Sequence, residues 1–336
     1  MPPSGPRGKT GGTIPPSPPI RFLSLDSPIP SPLTTSPTDL ARAAELLRAG
    51  QCVALPTETV YGLAADAMNP TAVAQVFAIK GRPLLDPLIV HVPDLAGLAQ
   101  VAEPDARLAK LAALWPGPLT VVLRRKAGVP DLVTAGKDTV AVRLPAHPVF
   151  REVLRLAGRP LAAPSANPSG YVSPTRAAHV VASLGARCPW VVDGGPCEHG
   201  VESTILDLSV PGRARLLRPG PIPVETLRSL LGEVEVVTRA ASQHAPQDAP
   251  GMLDRHYSPA TKVALFPVGS LPVIANLRSA VVFLGRRASP PANADVFLLS
   301  ESGAVAEAAH HLFDLLRRLA GPDDELHGGK VTLAGV

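Results

Sequence analysis

At 336 residues, 46% of them hydrophobic, the chain is long enough for more than one core, and a large domain followed by a smaller one is expected. No apolar run reaches the ~18 residues a membrane span needs. Cys52, Cys188 and Cys197 lack the spacing of a zinc or disulfide framework, and the N-terminus carries no apolar stretch of the secretory kind, so a cytoplasmic protein without membrane association is expected. The formal net charge is +4, but residues 1–38 carry Arg7, Lys9 and Arg21 against Asp26, half of that total. The remainder is mildly basic, which suits a local anion site better than a nucleic-acid-coating surface.

Residues 1–37 hold 11 of the 40 prolines among Gly, Ser and Thr, a composition that buries too little apolar surface to offset chain entropy; a disordered tail is expected. Leu40, Ala43, Ala44 and Leu47 then fall at helical spacing, with Thr38 as N-cap and Gly50 as stop. Apolar, often β-branched runs predict strands near 51–55, 87–92, 119–124, 139–144, 160–163, 190–193, 203–208 and 214–218. Helical patterns fall near 70–80, 105–114, 147–157, 174–184 and 223–231. Residues 38–231 therefore read as an α/β domain with a mixed, mostly buried sheet. Residues 232–260 lose periodicity and read as an interdomain linker. In 261–336, strand-like 262–266, 280–284 and 296–299 and a helix over 304–320 predict a small C-terminal α/β domain.

Several common chemistries drop out. Gly8-Lys9-Thr10 resembles the end of a phosphate-binding loop, yet the motif's first glycine would fall on Pro3 and no strand precedes it. There is no H-E-x-x-H, no G-x-S-x-G and no G-x-G-x-x-G between strand and helix. What remains is a strand running into Pro56-Thr57-Glu58-Thr59-Val60-Tyr61-Gly62, a place where open α/β sheets bind ligands. The next helix ends in Lys80-Gly81-Arg82-Pro83, readable as dipole compensation or as paired phosphate ligands, one a point charge and one a fork. Arg143 lies in an alternating strand, where a core-facing charge requires an anionic partner, either a structural carboxylate or a substrate's. Ser165-Ala166-Asn167, Val201-Glu202-Ser203-Thr204-Ile205 and Leu217-Arg218-Pro219-Gly220 again place small polar groups and cations at strand ends.

Together, in order, the run Pro56 to His91, Trp115-Pro116-Gly117-Pro118-Leu119-Thr120, Arg143-Leu144-Pro145, Ser165-Ala166-Asn167, Ser203-Thr204-Ile205 and Arg218-Pro219-Gly220 resemble the L-threonylcarbamoyladenylate synthases with their YrdC-like fold. The likeness spans roughly 39–231, and Pro250-Gly251-Met252 through His256-Tyr257-Ser258-Pro259 resembles the linker of the two-domain members, which implies that residues 232–260 contribute to the active site. The resemblance implies an ATP-using nucleotidyltransferase that joins L-threonine, bicarbonate and ATP, with Mg²⁺, into threonylcarbamoyl-AMP. The downstream tRNA threonylcarbamoyl-transfer machinery would consume the product, and direct tRNA contact has little support in the charge. It further implies Lys80, Arg82, Ser165 and Asn167 around the nucleotide phosphates, with Lys80 and Arg82 catalytic. Thr139, Ser173, Arg218 and Tyr257 are implied as further ATP contacts. Thr57, His91, Arg143, Ala163 and Ser203, with Tyr61, are implied as the threonine site; no residue is assigned as a metal ligand.

Two features depart from the family pattern. Asp86 stands where asparagine is usual, and the segment after Gly328 lacks the usual closing glycine-rich run and basic helix, so the second domain is expected to be atypical or truncated. The rival readings are a tRNA- or double-stranded-RNA-binding protein without catalysis, and a carbamoyl-transfer module. The weak charge and missing aromatic platforms oppose the first; the short C-terminal region opposes the second.

Overall fold

The computed structural model describes residues 31–188, 190–237, 247–250, 263–266, 279–285, 295–320 and 330–334. Helices α1 (Pro37–Arg48), α2 (Pro70–Lys80), α3 (Leu95–Val101), α4 (Asp131–Thr134), α5 (Pro148–Ala157), α6 (Ala177–Leu184) and α7 (Val224–Leu231) surround strands β1 (Val53–Leu55), β2 (Gly62–Asp66), β3 (Ile89–His91), β4 (Leu119–Arg124), β5 (Thr139–Arg143), β6 (Leu161–Ala162), β7 (Thr204–Asp207), β8 (Arg215–Arg218) and β9 (Glu235–Val236). These nine strands form one mixed sheet in the order β1-β2-β6-β3-β5-β4-β7-β8-β9. A second sheet is wholly parallel, in the order β10-β13-β11-β12, from β10 (Val263–Phe266), β11 (Ser279–Phe283), β12 (Asp295–Leu298) and β13 (Lys330–Ala334), with helix α8 (Val305–Ala320). The mixed α/β architecture is the one expected.

Local chemistry sets the element ends. α2 starts at Asn69, whose side chain accepts from the amides of Thr71 and Ala72, and has Pro70 in its first turn. It stops at Gly81, in the left-handed region at φ 59°, which leaves Lys80 and Arg82 on either side of the turn. α1 is capped by Ser36 rather than Thr38, and begins at Pro37. Residues 31–36, within the stretch expected to be a tail, are partly docked: Leu33 bridges Val192, with its amide 2.7 Å from the Val191 carbonyl oxygen. Residues 1–30 lie outside the described residues.

One face of the large sheet is sealed by an apolar layer that includes Val76 of α2, Leu98 of α3 and Leu227 of α7 against Ala54, Leu63, Val90, Val121 and Val142. On the other face α1 and α5 cover only the β1-β2-β6 end, through Leu47 and Phe150 against Val53, Leu55, Ala64 and Leu161. Over β3, β5, β4 and β7 that face carries a shallower cluster, Ile89, Ala141, Val122 and Ile205, to which Ala249 contributes. Because side chains alternate along a strand, residues two positions from these share their face. That rule aims His91, Arg143, Thr120 and Ser203 at the incompletely covered surface.

Candidate functional site

Strand register does the first part of the assembly. His91 pairs with Arg143 across β3 and β5, and Arg143 with Thr120 across β5 and β4, so the three lie in one row. Ser203 enters beside that row, its Oγ 2.7 Å from Thr120 Oγ1. The loop after β1 folds over the row. Thr57 Oγ1 accepts from the amides of Thr59 and Val60, both at 3.1 Å, and donates to the Val60 carbonyl at 2.6 Å, fixing a compact Thr turn. Gly220 closes the opposite wall by backbone approach: a Cβ there would stand 2.4 Å from the Thr204 amide nitrogen.

The result is a cleft lined by Thr57, Thr59, Val60, Gly62, Arg82, Ile89, His91, Arg143, Ala163, Pro164, Ser165, Glu202, Ser203, Arg218 and Pro250. Three guanidinium groups converge on it, each already held. Arg143 donates to Glu58 Oε1 at 2.7 Å, Thr59 Oγ1 at 2.9 Å and the Gly117 carbonyl at 3.3 Å. Arg82 donates to the carbonyls of Asp86 and Pro87 at 3.1 and 2.8 Å, and is ion-paired to the Asp86 carboxylate at 2.9 Å. Arg218 donates to Ser203 Oγ and to the carbonyls of Ser203 and Pro250. Rigid cations facing a common volume are pre-organised for an anion, because little reorganisation remains when it arrives.

The buried ionisable groups report the same field. Burial pushes the Glu58 carboxyl up, but the Arg143 guanidinium and the backbone amides of Glu58 and Ala146 together hold it at about 2. Burial, reinforced by Arg143, lowers His91 to about 3, so this imidazole is neutral near pH 7. Its ring lies 4.9 Å from that of Phe150, and its Nδ1 is buried without a hydrogen-bond partner among the described residues. Lys80 is lowered by burial first and by Arg82 second, with Asp86 and Glu202 opposing.

The sequence-derived residues divide by position. Thr57, Arg82, His91, Arg143, Ala163, Ser165, Ser203 and Arg218 line the one cleft. Lys80 does not: at 2% exposure it runs beneath the loop after β6, and its ammonium donates to the carbonyls of Ser165 and Asn167 at 2.6 and 2.5 Å. Asn167 is buried with it, its amide nitrogen bound to the Pro168 and Tyr171 carbonyls. Ser173 is buried and reaches the cleft through Glu202, whose carboxylate accepts from its hydroxyl. Thr139 stands at the far end of β5, in a separate, smaller recess with Lys137 and Asp248. Tyr61 has its ring in the core, while its hydroxyl donates to the Gly195 carbonyl at 2.7 Å and accepts from the Gly194 amide. Tyr257 lies outside the described residues.

Three contributors carried no assigned role in the sequence: Glu58, Thr59 and Glu202. Glu58 was discoverable in principle, since a core-facing Arg143 needed a carboxylate and Glu58 stood in the quoted loop. The segment 247–250 falls within the linker expected to contribute to the site, and it brings Pro250 to the cleft. It is fixed by the Gln247 amide on the Leu85 carbonyl, by Asp248 on Lys137, and by the buried methyl of Ala249. Among the described residues no group of three or more His, Cys, Asp or Glu is arranged to hold a metal, and no helix is long and apolar enough to cross a membrane.

Residues 45–220 match the family described as Telomere recombination (Sua5, yciO and yrdC), and residues 222–331 match the family described as Threonylcarbamoyl-AMP synthase, C-terminal domain. The chain is 40% identical over 288 residues to the threonylcarbamoyl-AMP synthase of Pyrococcus abyssi, covering 82% of this chain and 84% of that one. It is 43% identical over 240 residues to the synthase of Bacillus subtilis, covering 69% and 68%. Among solved structures it resembles P. abyssi Sua5 complexed with L-threonine, with a TM-score of 0.79, 37% identity and coverage of 89% and 88%. The likeness to E. coli YCIO, with a TM-score of 0.51 at 21% identity over 56% of this chain and 91% of that one, extends to the fold. The chain belongs to the threonylcarbamoyl-AMP synthase family, in its two-domain form.

Proposed function

We propose that this protein condenses L-threonine, bicarbonate and ATP into L-threonylcarbamoyladenylate with release of pyrophosphate, acting as a cytoplasmic nucleotidyltransferase. Its product would supply the machinery that transfers threonylcarbamoyl to an adenosine of tRNA. The observation that carries this reading is the convergence of Arg82, Arg143 and Arg218 on one cleft, with the hydroxyl-bearing Thr57, Ser165 and Ser203 between them. A carbamate, an amino-acid carboxylate and a triphosphate must meet in such a reaction, and fixed cations relieve their mutual repulsion.

In this reading Arg143 receives the threonine carboxylate. Its guanidinium has five donors, of which Glu58, Thr59 and Gly117 take three, so two stay available without loss of its anchoring. Thr57, His91, Ala163 and Ser203 frame the amino acid, and Tyr61 supports the pocket from the core. Lys80, Arg82, Ser165, Asn167, Ser173 and Arg218 serve the nucleotide side, with Thr139 and Tyr257 as outer ATP contacts. The threonine amine takes up the bicarbonate carbon with loss of water, and an oxygen of the resulting carbamate bonds to the α-phosphorus as the bond from that phosphorus to the bridging oxygen breaks, the electron pair leaving with pyrophosphate. Arg82 stabilises the charge that develops on the leaving oxygens, and Lys80 holds the Ser165 to Asn167 loop in place from beneath; no enzyme nucleophile is needed.

Mg²⁺ fits the donors present, because Asn167 Oδ1 is buried without a partner among the described residues and Glu202 brings a carboxylate to the cleft. Such hard oxygens suit a cation that keeps most of its waters and arrives on phosphate; when bound it would supply charge neutralisation on the triphosphate. The decisive experiment is pyrophosphate release measured with each substrate omitted in turn, with the product identified by mass spectrometry. Release requiring both threonine and bicarbonate, with the mass of threonylcarbamoyl-AMP, is expected. Equal release with serine, glycine or no amino acid would remove the threonine assignment.

A further inference from the structure

The second sheet is not a remote appendage. Val60 and Val172, from the loops that build the cleft, share one apolar cluster with Ala280, Val282, Leu299, Phe313, Leu316 and Leu319. α8 lies against the large domain from His310 to Arg317. Asp314 is ion-paired with Arg176 at 3.1 Å, His310 Nδ1 is 2.7 Å from the Glu198 carbonyl, and a Cβ on Gly200 would meet the His310 carbonyl oxygen at 2.4 Å.

Within this contact Arg317 is unusual in where its donors go. Its Nε donates to the Ser173 carbonyl at 3.1 Å and its Nη2 to the Val172 carbonyl. Its Nη1 donates to Ser183 Oγ at 2.7 Å and to the His179 carbonyl at 3.4 Å. All four acceptors belong to the large domain, and none is a carboxylate. A cation desolvated against carbonyls gains its stabilisation from geometry, so the fork holds its acceptors in a fixed arrangement more strictly than a point charge would. The residue whose carbonyl it grips, Ser173, turns its hydroxyl onto Glu202 at the cleft wall.

We propose that Arg317 is a positioning residue through which α8 of the C-terminal domain sets the nucleotide side of the cleft, by holding the Val172 and Ser173 backbone and thereby the Ser173 to Glu202 contact. The inference rests on the assignment of that wall to ATP made above. The threonine side, built on Thr57, His91 and Arg143, receives none of these four bonds, so the two ligands respond differently to the loss of the fork.

The test is calorimetric titration of the full chain with ATP and, separately, with L-threonine, for the wild type and for Arg317→Lys, Arg317→Ala and Asp314→Asn. Lysine keeps charge and stem but cannot span residues 172–173 and 179–183 together. Arg317→Lys is expected to melt near the wild-type temperature, to keep threonine affinity, and to lose ATP affinity about tenfold, the scale of one charge-assisted hydrogen bond. In turnover it raises the KM for ATP more than it lowers kcat. Asp314→Asn loosens the same contact without touching residues 172–173, and keeps ATP affinity. An Arg317→Lys protein that binds both ligands like the wild type overturns the proposal. So do losses for both ligands in step with a lowered melting temperature, or equal ATP loss in Asp314→Asn. A wild-type protein that binds neither ligand instead overturns the parent assignment, and the proposal with it.

Discussion

Glu58 Oε1 lies 2.7 Å from Arg143 Nη2, and both side chains are 4% exposed. The pair joins the loop after β1 to the middle of the large sheet, and it explains how a strand can carry a cation on a buried face. Removing one member of such a pair leaves the other charged and desolvated, at a cost of ~3–5 kcal/mol. Glu58→Ala is therefore expected to lower the urea midpoint markedly without changing the slope, and to weaken threonine binding by more than tenfold. A midpoint within error of the wild type would show that the pair contributes nothing to holding Arg143.

Arg82 and Asp86 form the second buried pair, on the other wall. Here the carboxylate neutralises a cation that the proposed function assigns to phosphate, so Asp86→Asn, which keeps shape and removes charge, is expected to tighten ATP binding a few-fold while lowering stability. Arg82→Ala is expected to abolish pyrophosphate release in a folded protein. ATP affinity that falls in Asp86→Asn would reverse the assigned role of this carboxylate.

Lys80 acts through the loop it holds. Its two carbonyl bonds fix Ser165 and Asn167, and losing a hydrogen bond from a buried charged group costs ~1.5–3 kcal/mol. Lys80→Met is expected to lose about that much stability, to abolish nucleotide binding and to retain threonine binding. Loss of threonine affinity equal to that of ATP would mean that the loop serves the whole cleft.

The histidines set the acid response. His91 and His179 are held at about 3 and about 4, by burial first and then by Arg143 and Arg317 respectively, against ~6.5 in an unfolded chain. Between those values and ~6.5 the unfolded state binds more protons than the folded one, so stability rises with pH through that window and is fully present above it. Glu58 adds a loss only as pH falls below its unfolded value toward about 2. Urea midpoints are expected to fall steadily from pH 7 to pH 4, with a shallower dependence in His179→Asn. A flat profile over that interval would contradict the neutral, buried imidazoles.

Regular elements with strong caps were legible from sequence: α2 falls on 70–80 as its Asn69-Pro70 start and Gly81 stop require. Short elements fixed by tertiary pairing were not. No strand is predicted over β2, since Leu63-Ala64-Ala65 is a brief apolar run that becomes a strand only between β1 and β6. Conversely, among the described residues 190–193 makes only the isolated bridges Leu33 to Val192 and Ala54 to Val191, and 106–114 is a 3-10 helix. At the site, residue types pointed to an anion cleft, but partners did not follow, because Glu58 and Arg143 are 85 positions apart. Nor does spacing reveal that Lys80 turns inward beneath a backbone loop while Arg82, two residues on, faces the cleft.

β13 is the last strand in the chain, yet it lies between β10 and β11 and pairs with both. In synthesis from the N-terminus, β10, β11, β12 and α8 all emerge before the strand that joins β10 to the rest. The smaller sheet thus has a gap at its centre until residues 330–334 arrive, and non-local parallel pairing of this kind is slow to form. α8 gains a completed sheet behind it only then, so a chain cut before Lys330 would carry every cleft-lining residue but lack the central strand of the sheet that packs on Val60 and Val172. Such a fragment offers a way to measure how much of the cleft's order is supplied from outside the domain that contains it.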